Sequence, residues 1–207
     1  LVVVVMSISV TGCSAFDALR GSPDRPANQN EEEAPAADMN DTTMGVEVDD
    51  DAMAVLAVER PAWQNHPLTD ARSGEVFTLG SFEGKTVFVE TMATWCGNCR
   101  QQLTNLRDAR AHIAADDIVY IGLSVETNIS DEALATYADN AGFDWTFAVI
   151  PADLLRELAD EFGRTITSPP ATPSFFIYAD GSFSVLSAGR VKSTQQLIEL
   201  LNSARGA

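Results

Sequence analysis

Hydrophobic and polar residues change their rhythm three times along this chain. Leu1 to Val10 is uncharged and almost wholly apolar. Such a run has the length of the apolar core of a secretory signal and is too short to span a bilayer. No basic segment precedes it, as if the sequence were clipped at the front. Residues 21–60 then carry no sustained period. Pro23, Pro26, Asn28, Gln29, Asn30 and Glu31 to Glu33 open this stretch, and Asp49 to Asp51 come later. Many like charges and few aromatics cannot offset the entropy of ordering a chain, so the reading is a flexible acidic tether. Inside it, Met53 to Val58 has the pattern of a short helix or a docking strand.

From Trp63 onward the rhythm is that of a folded domain. Glu75 to Leu79 alternates polar and apolar residues, as a half-buried strand does, and Gly80 to Gly84 is a turn. Thr86–Met92 and Ile118–Val125 are apolar, β-branched runs and read as buried strands, with a further strand at Trp145–Ile150. Helical spacing predicts helices from Gly97 to about Ile113, from Asp131 to Asn140 with Ser130 as N-cap, and from Asp153 to Phe162 with Gly163 as terminator. Phe175–Tyr178 and Phe183–Ser187 flank Asp180-Gly181, a hairpin signal, and a last helix runs from about Thr194 to Asn202. Alternating strands and helices closed by a hairpin predict an α/β domain around a central mixed sheet. The division is therefore an apolar leader over 1–13, a linker over 14–62 and one domain over 63–207.

Charge narrows the partners. The 207 residues hold 30 acids against 13 Lys and Arg, a formal charge of −17. That balance disfavours nucleic acid and also a surface that docks on anionic lipid by charge. Residues 1–60 concentrate the excess, with 12 acids and 3 bases. Solubility accounts for most of it.

Three cysteines are too few to staple a fold, and their placement points to chemistry instead. Val10-Thr11-Gly12-Cys13 follows the apolar leader directly and resembles a bacterial lipobox, which implies that Cys13 is lipidated and becomes the new N-terminus. Cys96 and Cys99 stand in Trp95-Cys96-Gly97-Asn98-Cys99, between a buried strand and a helix. A cysteine at a helix N-terminus meets unpaired amides and the positive end of the macrodipole, both of which favour thiolate. A partner three residues on lies on the same face, close enough to close a disulfide. Cys96 is then the solvent-facing nucleophile and Cys99 the resolving thiol. Half of a zinc site and a pair of inert core cysteines are the competing readings; no second cysteine pair follows, and His66 and His112 do not join the cysteines in a metal site. Trp95, just ahead of the nucleophile on an exposed turn, is placed to shield the thiolate and touch substrate.

From about Leu68 to Leu201 the chain resembles thioredoxin-like proteins of the TlpA/ResA type. The resemblance rests on Glu75–Leu79, Phe82-Glu83-Gly84-Lys85, Ala93-Thr94-Trp95-Cys96-Gly97-Asn98-Cys99, Ala171-Thr172-Pro173-Ser174-Phe175 and Tyr178-Ala179-Asp180-Gly181. It implies a thioredoxin fold with an N-terminal β-extension and a tethered thiol–disulfide oxidoreductase outside the bacterial cytoplasm. It also implies a cis-Pro173 facing the disulfide and a Thr172 backbone that pairs with bound substrate. Glu90, six residues before Cys96, would be the acid that lies beneath the disulfide and relays protons. Burial would raise its pKa toward neutrality, where a carboxyl can both accept and return a proton. The expected partners are thiols and disulfides of exported proteins, an upstream membrane electron donor, and the membrane itself through Cys13; the protein is expected to be a monomer needing no cofactor.

The sequence departs from the pattern where Asn98 stands for the usual proline, Thr104 for a helix-kinking proline, and Gln102 at a position that is glutamate in some relatives. Those changes leave redox potential and partner choice open. Two other functions fit these residues less well. A thiol peroxidase would, by resemblance, carry Thr or Ser three residues before the reactive cysteine, where Ala93 stands. A copper-delivery or redox-sensing module would favour Cys-x-x-x-Cys with a nearby His.

Overall fold

A computed structural model describes residues 60–113 and 118–205; the leader, Cys13, the acidic tether and Met53 to Val58 lie outside the described residues. Four strands form the central sheet: β3 (Thr86–Met92), β4 (Ile118–Ser124), β5 (Thr146–Val149) and β6 (Ser174–Ile177). Their order is β5-β4-β3-β6, with β4 parallel to both β3 and β5, and β6 antiparallel to β3. All seven residues of β3 are buried, because a central strand covered on both faces must satisfy apolar surroundings twice over. A small antiparallel pair precedes this sheet, β1 (Leu68–Thr69) with β2 (Val76–Phe77), and is the β-extension. The alternating run Glu75 to Leu79 thus yields only two strand residues. The Thr78 amide turns away to Ser81 Oγ, which ends the pairing.

Four helices cover the sheet. Those named α1 (Gly97–Arg110), α2 (Asp131–Ala141) and α4 (Thr194–Ala204) pack with Phe88, Met92 and Phe147 on one face. The other face, with Val87, Val89, Ile121 and Phe175, is covered by α3 (Ala152–Phe162) and by Trp63 in the turn Ala62–Asn65. The architecture is the thioredoxin-like α/β sandwich. Ser130 caps α2 by accepting from the Ala133 amide, and Gly142 ends it with φ at 68°. A capping box between Ser193 and Gln196 starts α4. α1 stops at Arg110, three residues earlier than its apolar spacing suggests, because the chain goes into turns at Ala111 and His112. The hairpin closes at Asp180-Gly181, but its second arm forms only isolated bridges, Ser174 with Ser187 and Ile177 with Phe183.

One glycine is set by close approach. Glu90, Gly122 and Phe147 sit side by side across β3, β4 and β5. A Cβ on Gly122 would stand 2.4 Å from Phe147 Cε1, inside contact distance. The ring cannot yield freely, since Phe147 is buried and stacked on Phe143 and Trp145. Gly122→Ala should therefore destabilise the domain by about 1–3 kcal/mol, as overpacked cores do, visible as a lower thermal midpoint by circular dichroism. An unchanged midpoint would mean that the ring has room to move.

Candidate active site

The strand β3 ends at Met92, and the chain turns through Ala93 to Trp95 before α1 begins at Gly97. Glu126 holds that turn, accepting from both the Thr94 amide and Thr94 Oγ1. Cys96 is the N-cap of α1: its sulfur accepts from the Cys99 amide at 3.1 Å, one of the donors a helix start leaves unpaired. Cys96 and Cys99 are joined as a disulfide with Cα atoms 5.3 Å apart. In the reduced state the same amide would favour thiolate at Cys96.

The expectation of a solvent-facing Cys96 needs correction. Cys96 is only 3% exposed and Cys99 is 0%. The cap bond turns the Cys96 sulfur toward its own helix, and the segment after Ser168 packs against Cys99 and Asn98. Cys99 Sγ lies 3.1 Å from the Pro169 carbonyl oxygen, and Asn98 Nδ2 donates to the Pro170 carbonyl at 2.9 Å. Asn98, at the position where proline is usual, thus ties the redox turn to this loop. Trp95 is 65% exposed, and Gly97 and Asn98 between the cysteines are exposed as well.

Pro173 is also corrected: no peptide bond among the described residues is cis. The turn ahead of β6 is made by Thr172, which takes the left-handed conformation with φ 46° and ψ 56°. A β-branched residue there is unusual and is held by its surroundings. Its amide donates to Pro169 O at 2.8 Å, its carbonyl accepts from Gln102 Nε2 at 3.4 Å, and its hydroxyl donates to Arg190 O. Pro173 O in turn accepts from the Thr91 amide at 3.0 Å. Thr172 is buried, and both its backbone groups are occupied. In this conformation the Thr172 amide and carbonyl are both engaged within the chain.

Glu90 is fully buried on the α1 face of β3, between Gly122 and Ser174 in the sheet. With no Cβ on Gly122, the Phe147 ring lies over that position and adds an apolar wall beside the acid. Burial pushes the Glu90 carboxyl up to about 8, against a hydrogen bond from Gln102 and the attraction of Lys192, which pull the other way. Gln102 Nε2 donates to Glu90 Oε2 at 3.1 Å, while Gln102 Oε1 accepts from the Lys192 amide at 2.9 Å. Glu90 Oε1 has no protein partner. Neither Lys192 nor Glu126 could be found from sequence alone. Each acts across 32 residues or more, and neither stands in a motif. Gln102 carried a signal only through its place in the resemblance.

A thioredoxin fold that carries a Cys-x-x-Cys disulfide at a helix start, with a buried acid hydrogen-bonded to a side chain of that helix, defines an oxidoreductase acting through thiol–disulfide exchange. The chain belongs to the AhpC/TSA family, whose model matches residues 60–182. Solved structures share the fold. A thiol:disulfide interchange protein of Chlorobium tepidum superposes with a TM-score of 0.58 at 23% identity, over 68% of this chain and 93% of that one. A secreted disulfide oxidoreductase of Mycobacterium tuberculosis gives 0.51 at 17% identity, over 68% and 97%. The thioredoxin domain of a thiol-disulfide oxidoreductase from Bacteroides vulgatus gives 0.53 at 14%, over 67% and 91%. No curated protein matches the sequence.

Proposed function

We propose that this protein exchanges disulfides with exported client proteins through Cys96 and Cys99, as a membrane-tethered oxidoreductase of the TlpA/ResA type. The observation that carries the chemistry is the Cys96–Cys99 disulfide at the start of α1, coupled through that helix to buried Glu90. In the reducing direction, Cys96 thiolate attacks a client disulfide and releases one client thiolate. Cys99 gives up its proton and attacks Cys96 Sγ. The enzyme disulfide forms, the second client thiolate leaves, and two electrons have passed to the client. The reverse sequence oxidises a client dithiol.

Glu90 serves as the proton relay for Cys99 in this reading. With its carboxyl pushed up to about 8, Glu90 is mostly protonated at pH 7 in the disulfide state. A proton is then at hand when the disulfide opens and Cys99 leaves as thiolate. The carboxylate produced is the base that takes the proton back for the resolving step. Ala93 offers no hydroxyl for the peroxidase alternative, and no observation favours a copper module.

Tethering is supported by the apolar leader and by Val10-Thr11-Gly12-Cys13. Lipidated Cys13 would hold the domain at the membrane, within reach of a membrane electron donor. The acidic stretch 21–60, if coil-like, spans about 35 Å root-mean-square. Mass spectrometry of the protein from its native host should find acyl chains on an N-terminal Cys13. An unmodified Cys13 would remove the anchor and leave the dithiol chemistry standing. Reduction of insulin disulfides by the purified protein tests that chemistry: no turnover with dithiothreitol as donor would reject it.

A further inference from the structure

A second ionisable side chain is turned inward beside Glu90, and the exchange chemistry as described does not use it. Lys192 lies in the loop just before α4, and both of its backbone groups are clamped to α1. Its amide donates to Gln102 Oε1 at 2.9 Å, and its carbonyl accepts from Asn105 Nδ2 at 2.7 Å. Residues 102 and 105 are three apart, so they share one face of the helix. Lys192 Nζ is enclosed and has no protein hydrogen-bond partner, the same condition as Glu90 Oε1. Gln102 stands between the two, with one end of its amide on each residue.

Enclosing an ammonium without a partner is costly, and a surface lysine would normally extend into water. The opposite charge that Lys192 feels here is Glu90. We propose that Lys192 is a positioning residue for the exchange reaction: with its backbone fixed by Gln102 and Asn105, its enclosed ammonium keeps the carboxylate form of Glu90 accessible as the base for Cys99. The proposal rests on the relay reading of Glu90 and adds to it the group that makes the relay reversible. A buried carboxyl with no cation nearby would hold its proton more tightly still and would be a poorer base for Cys99. The attraction of Lys192 opposes that tendency, and Glu90 in turn opposes the downward push of burial on Lys192.

The other groups around the pair are few. From α1 comes Gln102, and on the same Gln102 amide sits the Thr172 carbonyl from the loop before β6. The β4 and β6 neighbours, Gly122 and Ser174, do not titrate. Tyr137 on α2 is raised by burial, then lowered by Arg100 and raised again by Glu90 and Glu126. It stays neutral in the range where the exchange is measured.

Removing the cation should affect the two directions unequally, which a merely structural residue would not do. The full chain, carrying Cys13→Ser so that only Cys96 and Cys99 react, is reduced and mixed with Ellman's reagent. The first thionitrobenzoate reports attack by Cys96, and the second reports Cys99 closing the disulfide. In Lys192→Met the pH midpoint of the second phase should rise by about one unit, a roughly tenfold slower second phase at pH 7. Opening of the oxidised protein by dithiothreitol should keep its wild-type rate, because Glu90 remains protonated. Lys192→Arg retains a cation and should return the midpoint close to wild type. Carboxyl 13C NMR of the oxidised protein should show the Glu90 midpoint rising in Lys192→Met, a readout independent of turnover.

Glu90→Gln separates the two ideas. If Glu90→Gln abolishes the pH dependence of the second phase while Lys192→Met matches wild type, the Lys192 proposal is overturned and the relay stands. If Glu90→Gln keeps the wild-type profile, the relay fails, and Lys192 falls with it. Equal slowing of both directions, with a lower melting temperature and an unmoved 13C midpoint, would make Lys192 structural only and also overturn the proposal.

Discussion

Cys99→Ser should accumulate as a stoichiometric mixed disulfide with a client protein, whereas Cys96→Ser should trap nothing and lose insulin reduction to background. The reason lies in the helix start. Cys96 accepts the Cys99 amide at 3.1 Å, which stabilises a thiolate there, and it keeps the small residual exposure of the pair. Cys99 is fully enclosed, with Pro169 O 3.1 Å from its sulfur, so a client sulfur reaches Cys96 first. Once Cys99 is serine, no thiolate can attack Cys96 Sγ and release the client. The third cysteine in the sequence, Cys13, can form adducts of its own, so tryptic mass spectrometry must map the trapped client to Cys96. An adduct on Cys99 in the Cys96→Ser protein would reverse the two roles.

Glu90→Gln should flatten a pH dependence of stability that the wild-type oxidised protein shows. The carboxyl sits at about 8 in the folded state against an ordinary 4.5, raised chiefly by burial. Between those values the folded protein holds a proton that the unfolded chain has released. Folding stability from this group is therefore full below about 4.5, falls as pH rises, and is lost once pH passes about 8. Over that window of about 3.5 units the loss is on the order of 5 kcal/mol, at about 1.4 kcal/mol per unit. Urea unfolding of both oxidised proteins from pH 5 to 9 reads the difference directly. The glutamine variant should overtake wild type toward pH 9, because it has no buried carboxylate to form. Parallel curves would show that Glu90 ionises in the fold as easily as in water. The same variant should slow the resolving step most clearly, since Cys99 then has only water to take its proton.

Much of the fold was legible from local pattern. The unbroken apolar run of β3, the Ser130 cap, the glycine stop at Gly163 and the Asp180-Gly181 turn each rest on the chemistry of neighbouring residues. Where pattern misjudged extent, at β2, at the end of α1 and in the second hairpin arm, a turn or a loss of pairing cut a periodic segment short. Periodicity records which way side chains face and says nothing of where a backbone partner runs out.

The redox centre divides in the same way. Cys96, Cys99 and the helix start between them are decided within a few residues, so the order of the chain alone determined the dithiol and its spacing. The apolar neighbours of Glu90 likewise placed an acid in a buried strand. What surrounds that acid came only with tertiary structure. Gln102 joins Glu90 to Lys192 across 12 and 90 residues, and Asn98 reaches Pro170 across 72. Thr172 makes its turn left-handed with a trans proline after it, through bonds to Pro169, Gln102 and Arg190. A local sequence can set where a thiol sits on its helix, because the amides that stabilise it are its own. It cannot set the proton affinity of a buried carboxyl, because that depends on which distant groups the packed chain brings against it, and at what distance.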